Sequence, residues 1–218
     1  MSGDYQLVQL ANGAKTLFSA GYGEKMHPGL GPQAEAELLH VRQMNLCERL
    51  QNHSGEFVIW DVGLGAAANA VAVLRATRDI PGRLRLVSFD NTNEPLKFAL
   101  QNAAALGFLN GYENQITELL QTQSVIFQSG RLAVVWEFHL GDFPSLLANS
   151  TLKVNHLELP SPTAIFFDAF SPAKNPAMWT LPLFQNLFRS LDPARPCALT
   201  TYSRSTLIRA TLLLAGFF

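Results

Sequence analysis

The sequence predicts an α/β fold, a mainly parallel sheet with helices on both faces, preceded by a β-hairpin and one helix. Three observations carry this. Short apolar runs such as Phe57-Val-Ile-Trp60 and Ala164-Ile-Phe-Phe167 read as buried strands. Helical segments alternate with such strands from Phe57 onward. Charge is also scarce: 16 Lys and Arg with 17 Asp and Glu make 15% of 218 residues, while 48% are hydrophobic. An average soluble domain carries about 25% charged residues. This composition suits a sheet covered on both faces and excludes a disordered or solvated coiled-coil chain. The length suits one large domain, with residues 1–53 as an extension and 54–218 as the core.

In chain order, Tyr5–Leu10 and Lys15–Ser19 flank Asn12-Gly13, a type I′ hairpin signal. Pro32 then opens a helix expected from about Gln33 to Gln51, with Glu35 and Glu37 at its positive end. The strand Phe57–Trp60 runs into the turn Asp61-Val-Gly63-Leu-Gly65, and the Ala-rich segment Ala66–Thr77 is helical. Pro81-Gly82 breaks that helix; Leu84–Phe89 is the next strand, and Asn93 with Pro95 opens a helix to about Leu106. Val125–Phe127 and Arg131–His139 are strands joined at Ser129-Gly130, followed by a short helix Phe143–Ala148. Ala164–Phe167 and Ala198–Tyr202 are strands; Trp179–Leu191 and Arg204–Ala215 are helices.

The net charge of −1 excludes a uniformly basic nucleic-acid clamp but leaves room for a local patch, for which Arg75, Arg78, Arg83, Arg85, Lys174, Arg204 and Arg209 are candidates. A solvated face is the simpler reading of such a run. The start Met-Ser-Gly-Asp-Tyr-Gln has no secretory pattern and no apolar run is long enough to span a membrane, so a cytoplasmic protein is expected. Cys47 and Cys197 are expected as packed thiols, and the scattered His27, His40, His53, His139 and His156 predict no metal site.

In an open α/β sheet, ligands bind beyond the carboxyl ends of the strands. Asp61-x-Gly63-x-Gly65, Asp90, Gly141-Asp142, Asp168 and Tyr202-Ser203 all fall there. The glycine turn between strand and helix suits a nucleotide-like ligand, and Asp90 suits its ribose hydroxyls. Asp142 suits an adenine amino group or, alternatively, caps the helix at Phe143. A turn beginning with an acid favours S-adenosylmethionine over a dinucleotide, with an NAD-dependent oxidoreductase as the more distant alternative.

The run Asp168-Ala-Phe170-Ser-Pro172-Ala-Lys174-Asn-Pro176-Ala-Met-Trp179 closely resembles the signature of the MnmC-like tRNA wobble-uridine methyltransferases. The Asp61–Gly65 turn, Tyr22-Gly-Glu24-x-x-His27-Pro28 and the stretch from Thr200-Thr-Tyr-Ser203 to Ala215-Gly-Phe217 agree with it. The resemblance implies a Rossmann-like class I S-adenosylmethionine-dependent methyltransferase that methylates the primary amine of 5-aminomethyl-(2-thio)uridine at the tRNA wobble position. It implies S-adenosyl-L-methionine as cofactor, tRNA as partner, and an upstream enzyme that supplies the aminomethyl group, in place of the flavin oxidase domain of bifunctional members. Relatives continue past the equivalent of Phe217 into a closing antiparallel strand pair, so the last strands of the sheet are expected to be missing here or supplied by a partner.

Asp168 is the candidate catalytic residue, a carboxylate that orients the amine and takes its proton. Glu24, Asp61, Gly63, Gly65, Asp90, Gly141 and Asp142 are the candidate cofactor contacts, although Glu24 also suits a bond to a backbone amide and Asp90 a cap on the helix that follows. Phe170, Lys174, Trp179 and Tyr202 are the candidate substrate contacts, although Trp179 also suits a core anchor and Lys174 a solvated loop. Competing readings are methyl or aminopropyl transfer to a small free amine, and a non-catalytic cofactor-binding partner of RNA modification.

Overall fold

A computed structural model describes residues 4–148, 153–154 and 157–218; the extreme amino terminus and His156 lie outside them. The chain opens with β1 (Tyr5–Gln9), β2 (Lys15–Ser19) and β3 (Glu24–Lys25), an antiparallel three-stranded sheet. The hairpin forms where Asn12-Gly13 predicts it, but with a different turn. Leu10 and Ala14 pair across a three-residue loop in which Gly13 alone is left-handed, at φ 86. A type I′ turn would need Asn12 there as well. The expected helix from Gln33 to Gln51 is broken into α1 (Pro32–Ala36), a π-helical stretch Glu37–Arg42 and α2 (Leu46–Gln51). Asn45, left-handed at φ 52, ends its continuity.

The core follows as β4 (Glu56–Val62), α3 (Ala68–Thr77), β5 (Gly82–Asp90), α4 (Glu94–Gln101) and α5 (Ala103–Leu106). Next come α6 (Glu113–Thr122), β6 (Ser124–Ser129), β7 (Leu132–Leu140) and α7 (Phe143–Ala148). The chain continues through the small ladder of β8 (Lys153–Val154) with β9 (Leu157–Glu158), then β10 (Ala164–Phe167), a 3-10 turn Pro176–Trp179, α8 (Leu181–Arg189), β11 (Ala198–Thr201) and α9 (Thr206–Ala215). Helix α6 is absent from the sequence reading, although Ile116 and Leu119 mark one apolar face and both are buried.

The main sheet runs β11-β10-β4-β5-β7-β6, parallel except for β6 against β7. Strand order reverses between β4 and β10, because the chain steps from β4 outward to β5 and β7 before returning to β10. This is the switch point at which open sheets leave a crevice. One face packs Phe57, Ile59, Leu84, Leu86, Trp136 and Phe166 under α2, α3, α4 and α6. The other packs Trp60, Phe89, Ile165 and Phe167 under α7, α8 and α9. The α/β class with helices on both faces is thus realised, and β11 forms one edge of the sheet. Among the described residues no helix is long and apolar enough to cross a membrane.

One polar chain crosses the sheet interior. The Trp136 indole N–H donates to Ser88 Oγ at 3.0 Å, and the Ser88 hydroxyl donates to Asp61 Oδ2 at 3.0 Å. Asp61 is fully buried, and its Oδ1 has no partner among the described residues. Burial pushes its carboxyl up to about 7, the Ser88 hydrogen bond opposing the shift. The folded protein therefore keeps a proton that the unfolded chain loses above about pH 4, and the stability linked to it falls as pH rises from there through about 7. Asp61→Asn removes that dependence. Its melting temperature relative to the native chain should rise between about pH 5 and about pH 8; a difference constant across that window would mean that Asp61 is ionised throughout.

Candidate functional site

A cavity of about 460 Å³ opens at the carboxyl ends of β4, β5, β7 and β10, walled on one side by the amino-terminal extension. That volume lies within the roughly 300–1,000 Å³ of small-molecule sites. Glycine is obligatory at the first turn. Gly63 sits at φ 96, and a Cβ there would lie 2.7 Å from the carbonyl oxygen of Asp168. The absent side chain thus lets the turn after β4 close onto the loop after β10, which the Asp168 N–H completes by donating to Val62 O at 2.9 Å. The N–H groups of Gly63 and Leu64 both point to Phe89 O, and Gly65 N–H donates to Asp90 Oδ2 at 2.8 Å. Asp90 Oδ1 accepts from Thr92 N–H at 3.3 Å, and burial raises its carboxyl against those bonds. An additional hydroxyl donor, such as a ribose supplies, would relieve that desolvation.

Asp168 faces the cavity with its side chain 13% exposed. Asn69, in the first turn of α3, donates Nδ2–H to Asp168 Oδ2 at 2.7 Å and fixes the carboxylate. His27 Nε2 stands 3.9 Å from the same oxygen, and His27 Nδ1 stands 3.9 Å from Glu35 Oε2. His40 is buried against Phe166, with Nδ1 2.7 Å from Thr200 Oγ1 and Nε2 without a partner among the described residues. Burial lowers it to about 4, so its ring is neutral at physiological pH. Glu24 binds the Ser171 N–H at 3.1 Å and the Ser171 hydroxyl, tying β3 to the loop after β10. Tyr22 stacks on Phe170 with ring centroids 4.1 Å apart, extending the same wall.

The other candidates fall into two groups. Gly141, Phe170 and Tyr202 line the cavity; burial and the Asp168 and Glu24 charges raise the Tyr202 hydroxyl. Asp142 also lines it, while accepting from Ser145 N–H at 3.1 Å and from the Ser145 hydroxyl, the helix-capping geometry. Outside the lining, Asp61 lies in the sheet beneath the glycine turn. Trp179 packs on Phe167 and Phe184 and donates its indole N–H to Phe170 O at 2.8 Å, so it acts as a core anchor behind the pocket loop. Lys174 is exposed at the rim, near Gly23.

The arginine cluster does not form a track with Lys174. Arg75 and Arg78 end α3 and Arg83 and Arg85 begin β5, at the end of the sheet opposite the cavity. Arg85 is ion-paired there with Glu56 and Glu137, each at 2.9 Å. The sequence alone assigns no site role to Asn69, Glu35, His27 or His40. The available signals are a lone polar side chain in an Ala-rich helix start and a histidine directly before a proline.

Five carboxylates, Glu24, Glu35, Asp90, Asp142 and Asp168, line the cavity against one lysine, Lys25, among the described residues. This field favours cationic groups and disfavours phosphate. A sulfonium cofactor with nucleoside hydroxyls fits that lining: Asp90 and the glycine turn would hold the nucleoside and the acids would surround the positive centre.

Comparison with known proteins agrees. Residues 112–218 match a family described as S-adenosyl-L-methionine-dependent methyltransferase. The chain is 29% identical over 93% of its length to the tRNA 5-methylaminomethyl-2-thiouridine biosynthesis bifunctional protein MnmC of Burkholderia vietnamiensis. It is 30% identical over 94% of its length to the MnmC of Aeromonas hydrophila. It spans only 31% and 32% of those relatives. The crystal structure of MnmC2 from Aquifex aeolicus superposes with a TM-score of 0.71 at 25% identity, covering 98% of this chain and 64% of that one. The carboxyl-terminal part of the chain thus matches the S-adenosyl-L-methionine-dependent methyltransferase family, and nearly its whole length is similar to MnmC2 and to about a third of MnmC.

Proposed function

We propose that this chain transfers the methyl group of S-adenosyl-L-methionine to the primary amine of 5-aminomethyl-(2-thio)uridine at the tRNA wobble position. The observation that carries the reading is the acidic cavity with Asp168 held in it by Asn69. Bound S-adenosyl-L-methionine supplies an electrophilic methyl group on a positively charged sulfur. The remaining requirement is an aligned, unprotonated amine. Asp168 accepts an N–H of the amine and fixes its direction. The Tyr22–Phe170 stack and Tyr202 form an aromatic wall for the pyrimidine ring. MnmC is named for tRNA 5-methylaminomethyl-2-thiouridine biosynthesis, which supports this substrate over a small free amine.

On this reading residues 54–218 form the transferase core, and residues 1–53 supply one wall of the pocket through Tyr22, Glu24 and His40. An upstream enzyme provides the aminomethyl group, and the reaction takes place where tRNA is modified, in the cytoplasm. Lys174 and Arg204, exposed at the cavity end of the molecule, are the proposed phosphate contacts, with the acidic pocket admitting only the base and its amine.

The direct test is methyl transfer from labelled S-adenosyl-L-methionine to bulk tRNA lacking this modification, followed by nucleoside analysis. Label should appear in 5-methylaminomethyl-type uridine. Asp168→Asn keeps the shape and should lower the rate by about 100-fold or more, with S-adenosyl-L-homocysteine affinity retained by calorimetry. Unchanged methylation by Asp168→Asn would remove it from the chemistry. A second measurement addresses the tRNA: the Lys174→Ala, Arg204→Ala double variant should weaken tRNA binding at low salt. The slope of log affinity against log salt should fall by about 0.7 for each phosphate that the variant no longer neutralises; an unchanged slope would move the tRNA track elsewhere.

A further inference from the structure

His27 occupies a backbone conformation that is uncommon outside glycine. Its φ is 50, in the left-handed region, directly before Pro28, where the preceding residue ordinarily stays extended. The chain on both sides enforces it. Met26 N–H donates to Leu17 O at 2.8 Å, and the Thr16 hydroxyl donates to Met26 O. Beyond the proline, Glu35 Oε1 gathers the N–H groups of Gly29 and Leu30 at 2.6 Å and of Gly31 at 3.3 Å. Such conformations persist only where the surroundings over-determine them, and they cluster at functional sites. The outcome here is an imidazole set between two carboxylates, at 3.9 Å from each, with its side chain 15% exposed and lining the cavity.

We propose that His27 accepts the proton which the substrate amine must lose before methyl transfer, while Asp168 holds the amine and Glu35 steadies the resulting imidazolium. This rests on the amine substrate proposed above. The distance between His27 Nε2 and Asp168 Oδ2 is the reason. It is too long for a direct hydrogen bond, but a nitrogen at about 2.8 Å from both atoms would see them roughly 90° apart, near the angle between two N–H bonds. One ammonium group can therefore donate to both. The ionisable groups facing this point are Glu35 of α1, His40 of the π-helical stretch, Asp168, and, around Asp168, Glu24 and Tyr202. His40, buried and bonded to Thr200, is less able to take up charge.

The step balances. The ammonium gives one proton to Nε2 of neutral His27, and the electrons of that N–H bond become the amine lone pair. His27 passes that proton to water through its exposed edge, and a one-third turn about the C–N bond then brings another N–H to Nε2 and presents the lone pair to the methyl carbon. The nitrogen bonds that carbon as the C–S bond breaks, its pair remaining on sulfur. The product leaves as a secondary ammonium.

The test compares the native chain with His27→Asn, since asparagine tolerates the left-handed backbone, on tRNA carrying 5-aminomethyluridine. Near pH 7 the variant should lose about 100-fold in kcat/KM. The loss should shrink to about threefold near pH 10, where an alkylamine releases its own proton. S-adenosyl-L-homocysteine affinity should remain that of the native chain. In His27→Gly, added imidazole should restore activity. A variant as fast as the native chain at pH 7, a deficit that does not change with pH, or failure to bind S-adenosyl-L-homocysteine would each overturn the assignment, the last by making His27 a structural wall. If the native chain itself transfers no methyl to this tRNA, the amine reading fails and this inference falls with it. An active native chain matched by His27→Asn removes only the role of His27.

Discussion

The close approach of the turn after β4 to the loop after β10 is the constraint on which the site depends. Gly63 has no side chain because the carbonyl of Asp168 occupies its place, and the Asp168 N–H returns a hydrogen bond to Val62. Those two strands meet where the sheet order reverses, so their junction closes the floor of the crevice. Any side chain at position 63 would push apart the cradle expected to hold the nucleoside and the carboxylate expected to meet the amine. The glycine turn is thus a joint between two halves of the site more than it is open space for a ligand.

The same joint concentrates charge. Asp61, Asp90 and Asp168 end neighbouring strands, and the charges of Asp168 and Asp90 add to burial in raising the cost of ionising Asp61. Acids this close are retained only where cations or hydroxyl donors are to be met, because desolvated carboxylates destabilise the fold. The sulfonium of S-adenosyl-L-methionine and the ammonium of the proposed substrate would provide that compensation during turnover. A cavity balanced for a phosphate-bearing cofactor would instead need donors in the positions that the acids occupy.

Much of this arrangement is legible in the sequence. Strand ends are marked by the change from apolar run to acid or glycine, and the switch point follows from the alternation of strands and helices. The pocket-lining residues Gly63, Gly65, Asp90, Gly141, Asp142, Asp168, Phe170 and Tyr202 all stand at such ends or just beyond them. The features that escape the sequence share a physical cause, since each depends on distance across the fold. Asn69 matters because α3 starts beside Asp168, which no local pattern encodes. Helix α6 escapes because its exposed face is polar and its apolar face is only two fully buried residues wide. The arginine run misleads for the opposite reason: adjacency in sequence around the α3–β5 turn places it at the wrong end of the sheet.

The amino-terminal extension shows how a general fold acquires a particular chemistry. The sheet alone supplies the glycine turn, Asp90 and Asp168, features that suit many nucleoside-binding enzymes. Tyr22, Glu24, His27 and Glu35 come from outside it and meet the loop after β10 through one stacked ring pair and one carboxylate bridge to Ser171. Glu35 serves two purposes, since one oxygen fixes the Gly29–Gly31 backbone while the other faces His27. The strained conformation of His27 and its position opposite Asp168 therefore have a single origin. The loop that forces the left-handed backbone is the same loop that aims the imidazole into the cavity, so the extension is a working wall of the site and not a decoration on its rim.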